Sequence, residues 1–122
     1  MFKISQANSF TYPVSVDMNG DGGRIQKQNF VATFRRLTTE EVSNWKARIV
    51  SASQETHEAF LQCQRDLAHE VMEGWNDVRD GNGDEALFSS SALTQMLDIH
   101  PVPASIMSAW LEAVNGGAKA KN

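Results

Sequence analysis

The chain has 122 residues, 41% hydrophobic and 21% charged, with eleven Lys and Arg against fifteen Asp and Glu for a formal charge of −4. That length and balance describe one globular domain and exclude a disordered, fibrous or collagen-like chain. With an acidic balance and no basic run, nothing offers a track for a phosphate backbone, so nucleic acid is not an expected partner.

Cys63 is the only cysteine, which rules out an internal disulfide and gives no sign of an oxidising compartment. The first residues, Met1 to Ser9, lack the apolar stretch of a signal peptide, and no window approaches the ~18 apolar residues of a membrane span. The expectation is a cytoplasmic protein with no membrane contact.

From Phe10 to Asp17 the residues alternate, placing Phe10, Tyr12, Val14 and Val16 on one face and Thr11, Pro13, Ser15 and Asp17 on the other. This predicts a half-buried strand, and Pro13, lacking a ladder N–H, puts it at a sheet edge. A segment rich in Gly, Asp and Asn comes next, and Ile25 to Leu37 then offers Phe30, Ala32 and Phe34 on one face, as in the second arm of a long-looped antiparallel hairpin. Phe2 and Ile4 are read as a short third strand. A two-stranded ribbon is marginal alone, so its apolar face must be covered by helices from later in the chain.

Thr38-Thr39-Glu40-Glu41 has the spacing of a capping box and starts a first helix near Thr39, along which Val42, Trp45 and Ile49 recur. The helical period resumes through Phe60, Cys63, Leu67, Val71 and Trp75, so two helices joined near Ser53 are expected, the second stopped by the turn residues Asp80-Gly81-Asn82-Gly83. Ser89, with Phe88 before it and Leu93 after, starts a third helix running to about Asp98. Past Pro101 and Pro103, Ile106, Met107, Trp110 and Val114 form the stripe of a fourth, ended by Asn115-Gly116-Gly117. The predicted architecture is one α+β domain over residues 1–117, an N-terminal antiparallel β-hairpin packed on about four α-helices, with residues 118–122 as a flexible tail.

Asp17-Met18-Asn19-Gly20-Asp21-Gly22 fits the first half of an EF-hand loop. The second half fails: the completing bidentate carboxylate is replaced by Gln28, Arg24 stands where an apolar residue belongs, and the flanks read as strands rather than helices. His57, His69 and His100 do not cluster with one another or with Cys63 at metal-ligand spacing, and no metal or cofactor is expected. Cys63 falls in register with Phe60 and Leu67 as a small buried hydrophobe, while Glu40-Glu41 and Asp84-Glu85 sit where dipole complementarity and solubility account for them. With no nucleophile, paired acid and base, or phosphate-binding glycine turn, the reading is non-enzymatic.

The order of features resembles a known family. Asn29-Phe30-Val31-Ala32-Thr33-Phe34-Arg35-Arg36-Leu37 ends a strand just before a capped helix. It is joined at a distance by Glu70-Val71-Met72-Glu73-Gly74-Trp75-Asn76-Asp77-Val78, by Asp80-Gly81, Phe88-Ser89, Leu93 and Met96-Leu97, and by a closing helix with Ala109-Trp110-Leu111-Glu112-Ala113. Over most of residues 10–116 this looks like the small tail assembly chaperones of long-tailed bacteriophages and prophages. The resemblance implies a protein of the host cytoplasm that binds the long helical tape measure protein and keeps it soluble until tail tube subunits polymerise around it. Such a protein is absent from the finished virion.

The strip of Val42, Trp45 and Ile49 is the candidate contact surface for that client or for a second copy in a homo-oligomer, because aromatic anchors are enriched at interfaces; Trp75 and Trp110 are read as core. A structural tail tube or tail completion subunit is the alternative, since a ribbon can extend an intersubunit sheet. A small regulatory module is a third, although no helix-turn-helix is evident. Many tail assembly chaperone genes also make a longer product by a backward frameshift of one base near the end of the first reading frame. The terminal Ala120-Lys121-Asn122 is compatible with a slippery A AAA AAC heptamer, which would append a domain through the segment from Gly116.

Overall fold

The computed structural model describes residues 1–117. The alternation read from the sequence becomes a long antiparallel hairpin, with β1 at Ser9–Asn19 and β2 at Ile25–Arg35 joined by a 3-10 turn at Asp21–Gly23. Gly22 and Gly23 take φ of 68° and 80°, left-handed angles that only glycine adopts without a Cβ penalty. The register pairs Phe10 with Phe34, Tyr12 with Ala32 and Val14 with Phe30, so these six residues share one face, while Val31 and Ile25 fall on the other. Pro13 lies on an outer strand, as its missing N–H requires.

A helical pair comes next. α1 spans Thr39–Ser53 and α2 spans His57–Val71. The capping box forms: Thr38 Oγ1 accepts from the Glu41 amide (3.1 Å) and Glu41 Oε1 accepts from the Thr38 amide (2.9 Å). The polar segment read as a break is one, with Thr56 Oγ1 capping α2 by accepting from the Ala59 amide.

Two expectations are corrected. Phe2 and Ile4 form no strand and are 83% and 98% exposed. The third strand is instead β3, Met72–Asn76, in the order β1-β2-β3, pairing Asn76 with Val31, Trp75 with Ala32 and Gly74 with Thr33. The period through Leu67, Val71 and Trp75 reads as unbroken helix, and it is not one. Helix and strand both turn Trp75 to the core; what holds this segment extended is its pairing with β2, where Gly74 sits opposite Thr33 and Trp75 opposite Ala32. The turn at Asp80 therefore does not stop α2; it closes a loop bridged between Arg79 and Glu85, with Asp80 Oδ1 accepting from the Asn82 and Asp84 amides.

α3, Ser90–Leu97, is capped by Ser89 Oγ accepting from the Ala92 amide, and α4 runs from Val102 to Val114 with Pro103 in its first turn. The helices lie on the apolar face of the sheet, where α4 packs on β1 and α2 packs on α1 and α4. The buried residues form one cluster in which Trp110, Phe34, Leu67 and Ile106 are fully enclosed. Trp75 is buried too, its Nε1 donating to Ala86 O (2.8 Å) and its ring meeting Phe88 edge-on. Among the described residues no helix is long and apolar enough to cross a membrane. The tail at 118–122, and with it the frameshift expectation, lies outside the described residues.

Candidate interaction surface

The three residues of the α1 strip separate along the helix. Ile49 is buried, 8% exposed, while Val42 and Trp45 are half-buried and packed against the core. One edge of the stripe therefore faces inward, as helical spacing on a packed domain requires, and the other opens outward. The Arg48 guanidinium lies 4.6 Å from the centre of the Trp45 ring and reaches on to Asp66 of α2, so the cation, the indole and the acid fix one another across the two helices.

At its N-terminal end the strip opens into a groove of about 550 Å³ where the base of the hairpin meets α1 and α4. Phe10, Leu37, Val42 and Val114 give it apolar walls, and Arg35 and Arg36 give it a basic rim. Arg35 is held by Glu70 and by Glu41 (3.9 Å), and Arg36 lies 5.2 Å from the centre of the Phe10 ring while its Nε donates to Ala7 O (2.9 Å). The hydrogen bonds from Thr38, backbone first, with Arg35 nearby, hold the Glu41 carboxyl below its ordinary pKa.

Most of this groove escapes a reading of the sequence because its walls come from three stretches far apart in the chain, at Phe10, over residues 35–42 and in α4. One part is legible: Leu37 immediately precedes the cap at Thr38 and Val42 is the fourth helical residue, the spacing of a hydrophobic staple.

The remaining motifs fall elsewhere. Asp17 and Asn19 are strand residues, with Asp17 paired to Lys27 at 3.3 Å. His57 opens α2, His69 Nε2 meets Thr94 Oγ1 (3.2 Å), and His100 is exposed. Among the described residues no group of three or more His, Cys, Asp or Glu side chains is arranged to hold a metal ion. Cys63 is 3% exposed, and burial pushes its thiol above the ordinary range.

The chain is thus an α+β protein whose described surface offers an apolar, basic-rimmed groove beside a half-buried tryptophan. Comparison with known proteins finds no match to it: no family model, no curated protein and no solved structure.

Proposed function

We propose that this chain is a non-enzymatic tail assembly chaperone of a long-tailed phage or prophage, binding the tape measure protein in the host cytoplasm and keeping it soluble during tail assembly. The observation that supports the reading is the groove lined by Val42 of the α1 strip together with Phe10, Leu37 and Val114. An amphipathic client helix lays apolar residues at i, i+3 and i+7 into such a groove, with Arg36 at its flank. The family-like order of strand end, capped helix, Gly74-Trp75, acidic loop, Phe88-Ser89 cap and closing helix adds to it.

The test is to express the tagged chain together with the product of the gene downstream of its own. The expected product is a very long helical protein that aggregates alone, and that becomes soluble and co-purifies when this chain is present. Purified tail particles should lack the chain; finding it there in stoichiometric amount would replace the chaperone with a structural tail subunit. A neighbouring gene encoding no long helical protein would remove the main support for the client.

A further inference from the structure

The three strands are unequal, and the inequality leaves a gap. β2 has eleven residues and is paired along its whole length with β1, but the five residues of β3 reach back only to the pair Val31–Asn76. At Asp77 the chain turns away with φ of 65°. Antiparallel strands direct alternate peptide groups to alternate neighbours. Gly20 N donates to Arg24 O (2.7 Å), so even-numbered residues of β2 address β1, and the odd-numbered Val31 and Thr33 address β3. The peptide groups of Ile25, Lys27 and Asn29 face the same way as those two, past the end of β3.

Beside this open edge, on the core side of the sheet, lies a groove of about 580 Å³ lined by Met18, Phe30, Trp75, Val78, Met96 and Ile99, with Asp77, Arg79 and Asp80 at its rim. An extended segment added along Asn29 to Ile25 would turn every second side chain into it. β1 offers no comparable edge, because Pro13 interrupts its outward row of donors.

The same chain carries a segment that fits. Phe2 and Ile4, 83% and 98% exposed, flank Lys3, which gives two large apolar residues on one side of an extended strand and turns the lysine to the outer face, away from the groove. The segment cannot reach the groove of its own molecule. Ala7 and Asn8 are held at Arg36, at the base of the hairpin. From Ala7 to Ile4 an extended chain covers about 10 Å, while Asn29 lies about 20 Å along β2 from Arg35.

We propose that two copies of this chain associate by strand addition: the Phe2-Lys3-Ile4 segment of one copy pairs with the Ile25–Asn29 edge of the other and seats Phe2 and Ile4 in the groove over Trp75. The exposed bend in which Gln6 donates to Lys3 O (2.6 Å) opens as the segment extends. This arrangement rests on the sheet edge alone and is independent of the client reading.

Sedimentation equilibrium of the full chain tests it. The average mass should rise above that of the monomer with concentration, and Phe2→Asp/Ile4→Asp should stay monomeric with an unchanged melting transition, since neither side chain is packed. Asn29→Pro, which removes an outward N–H but no bond to β1, should lose its ability to accept a segment. In a mixed sample, isotope-labelled Phe2→Asp/Ile4→Asp has a vacant groove, and its Trp75 indole N–H resonance should shift on addition of unlabelled wild-type chain and stay fixed on addition of unlabelled double variant. A wild-type chain that remains monomeric, a double variant that associates like wild type, or a Trp75 resonance indifferent to the wild-type segment would each overturn the proposal.

Discussion

Tyr12 on the outer strand donates its hydroxyl to Glu112 Oε1 at 2.6 Å, tying β1 to the last turn of α4 across a hundred residues. Losing the phenolic proton would set a phenolate against a carboxylate. The hydrogen bond, then burial, then charge repulsion raise the Tyr12 pKa above its ordinary 10.0. Stability from this bond is fully present below the unfolded value and is lost as pH rises through the higher folded value. Tyr12 is the only tyrosine, so near-ultraviolet phenolate absorbance follows it alone. Its midpoint should exceed that of the urea-unfolded chain, and Glu112→Gln should move it back down. Equal midpoints in folded wild type and Glu112→Gln would refute the link.

Glu41 titrates with the opposite sign. Its carboxyl is held below the ordinary 4.5, first by the Thr38 backbone amide, then by the Thr38 hydroxyl and by Arg35. The native state therefore binds fewer protons there, and the contribution present above 4.5 is lost as pH falls through the folded value. Glu41→Gln keeps an oxygen for the Thr38 amide but cannot titrate. The difference in stability between wild type and Glu41→Gln should shrink in wild type's disfavour as pH drops below 4.5, measured by urea unfolding at several pH values. A constant difference would mean that the capping box carries no proton linkage.

Asp77, directly after β3, has φ of 65°, where a β-branched side chain meets the backbone. Asp77→Val should destabilise the fold by about 1–2 kcal/mol, and Asp77→Gly should be neutral or mildly stabilising. Thermal unfolding of the two variants decides the matter: equal melting points would show that the angle imposes no constraint.

How far the sequence discloses the fold depends on how local each cause is. The hairpin, the box at Thr38, the break near Ser53 and the cap at Ser89 rest on side chains that act within a few residues, and each is where its pattern placed it. β3 is different, because a five-residue strand exists only through its distant partner β2, and Leu67, Val71 and Trp75 keep a helical period that hides it. Phe2 and Ile4 alternate like a strand, yet nothing in the described chain pairs with them. The groove at Val42 escapes for a similar reason: Phe10, Leu37 and Val114 meet there only after β1, α1 and α4 have packed. Periodicity locates the α1 stripe, but it cannot say that Ile49 turns inward while Trp45 stays half open.

That division of the stripe sets the last prediction. Ile49 is 8% exposed, so Ile49→Ala should lower folding stability by about 2 kcal/mol or more through lost burial and the cavity left behind. The affinity of the folded fraction for a client helix should be unaffected. Trp45 has one face toward Arg48 and an outer edge toward solvent, so Trp45→Asp should leave a folded domain while weakening client binding by about 2 kcal/mol, roughly thirtyfold in Kd. Val42→Asp, at the mouth of the groove, should weaken binding in the same direction, which separates a surface effect from a local effect of losing the indole. Urea unfolding reports the stability of each variant, and calorimetric titration of the folded protein with the client reports its affinity. If Trp45→Asp abolishes the cooperative unfolding transition, Trp45 belongs to the core. If Trp45→Asp and Val42→Asp both fold and bind like wild type, the α1 strip is not the contact surface for the proposed client.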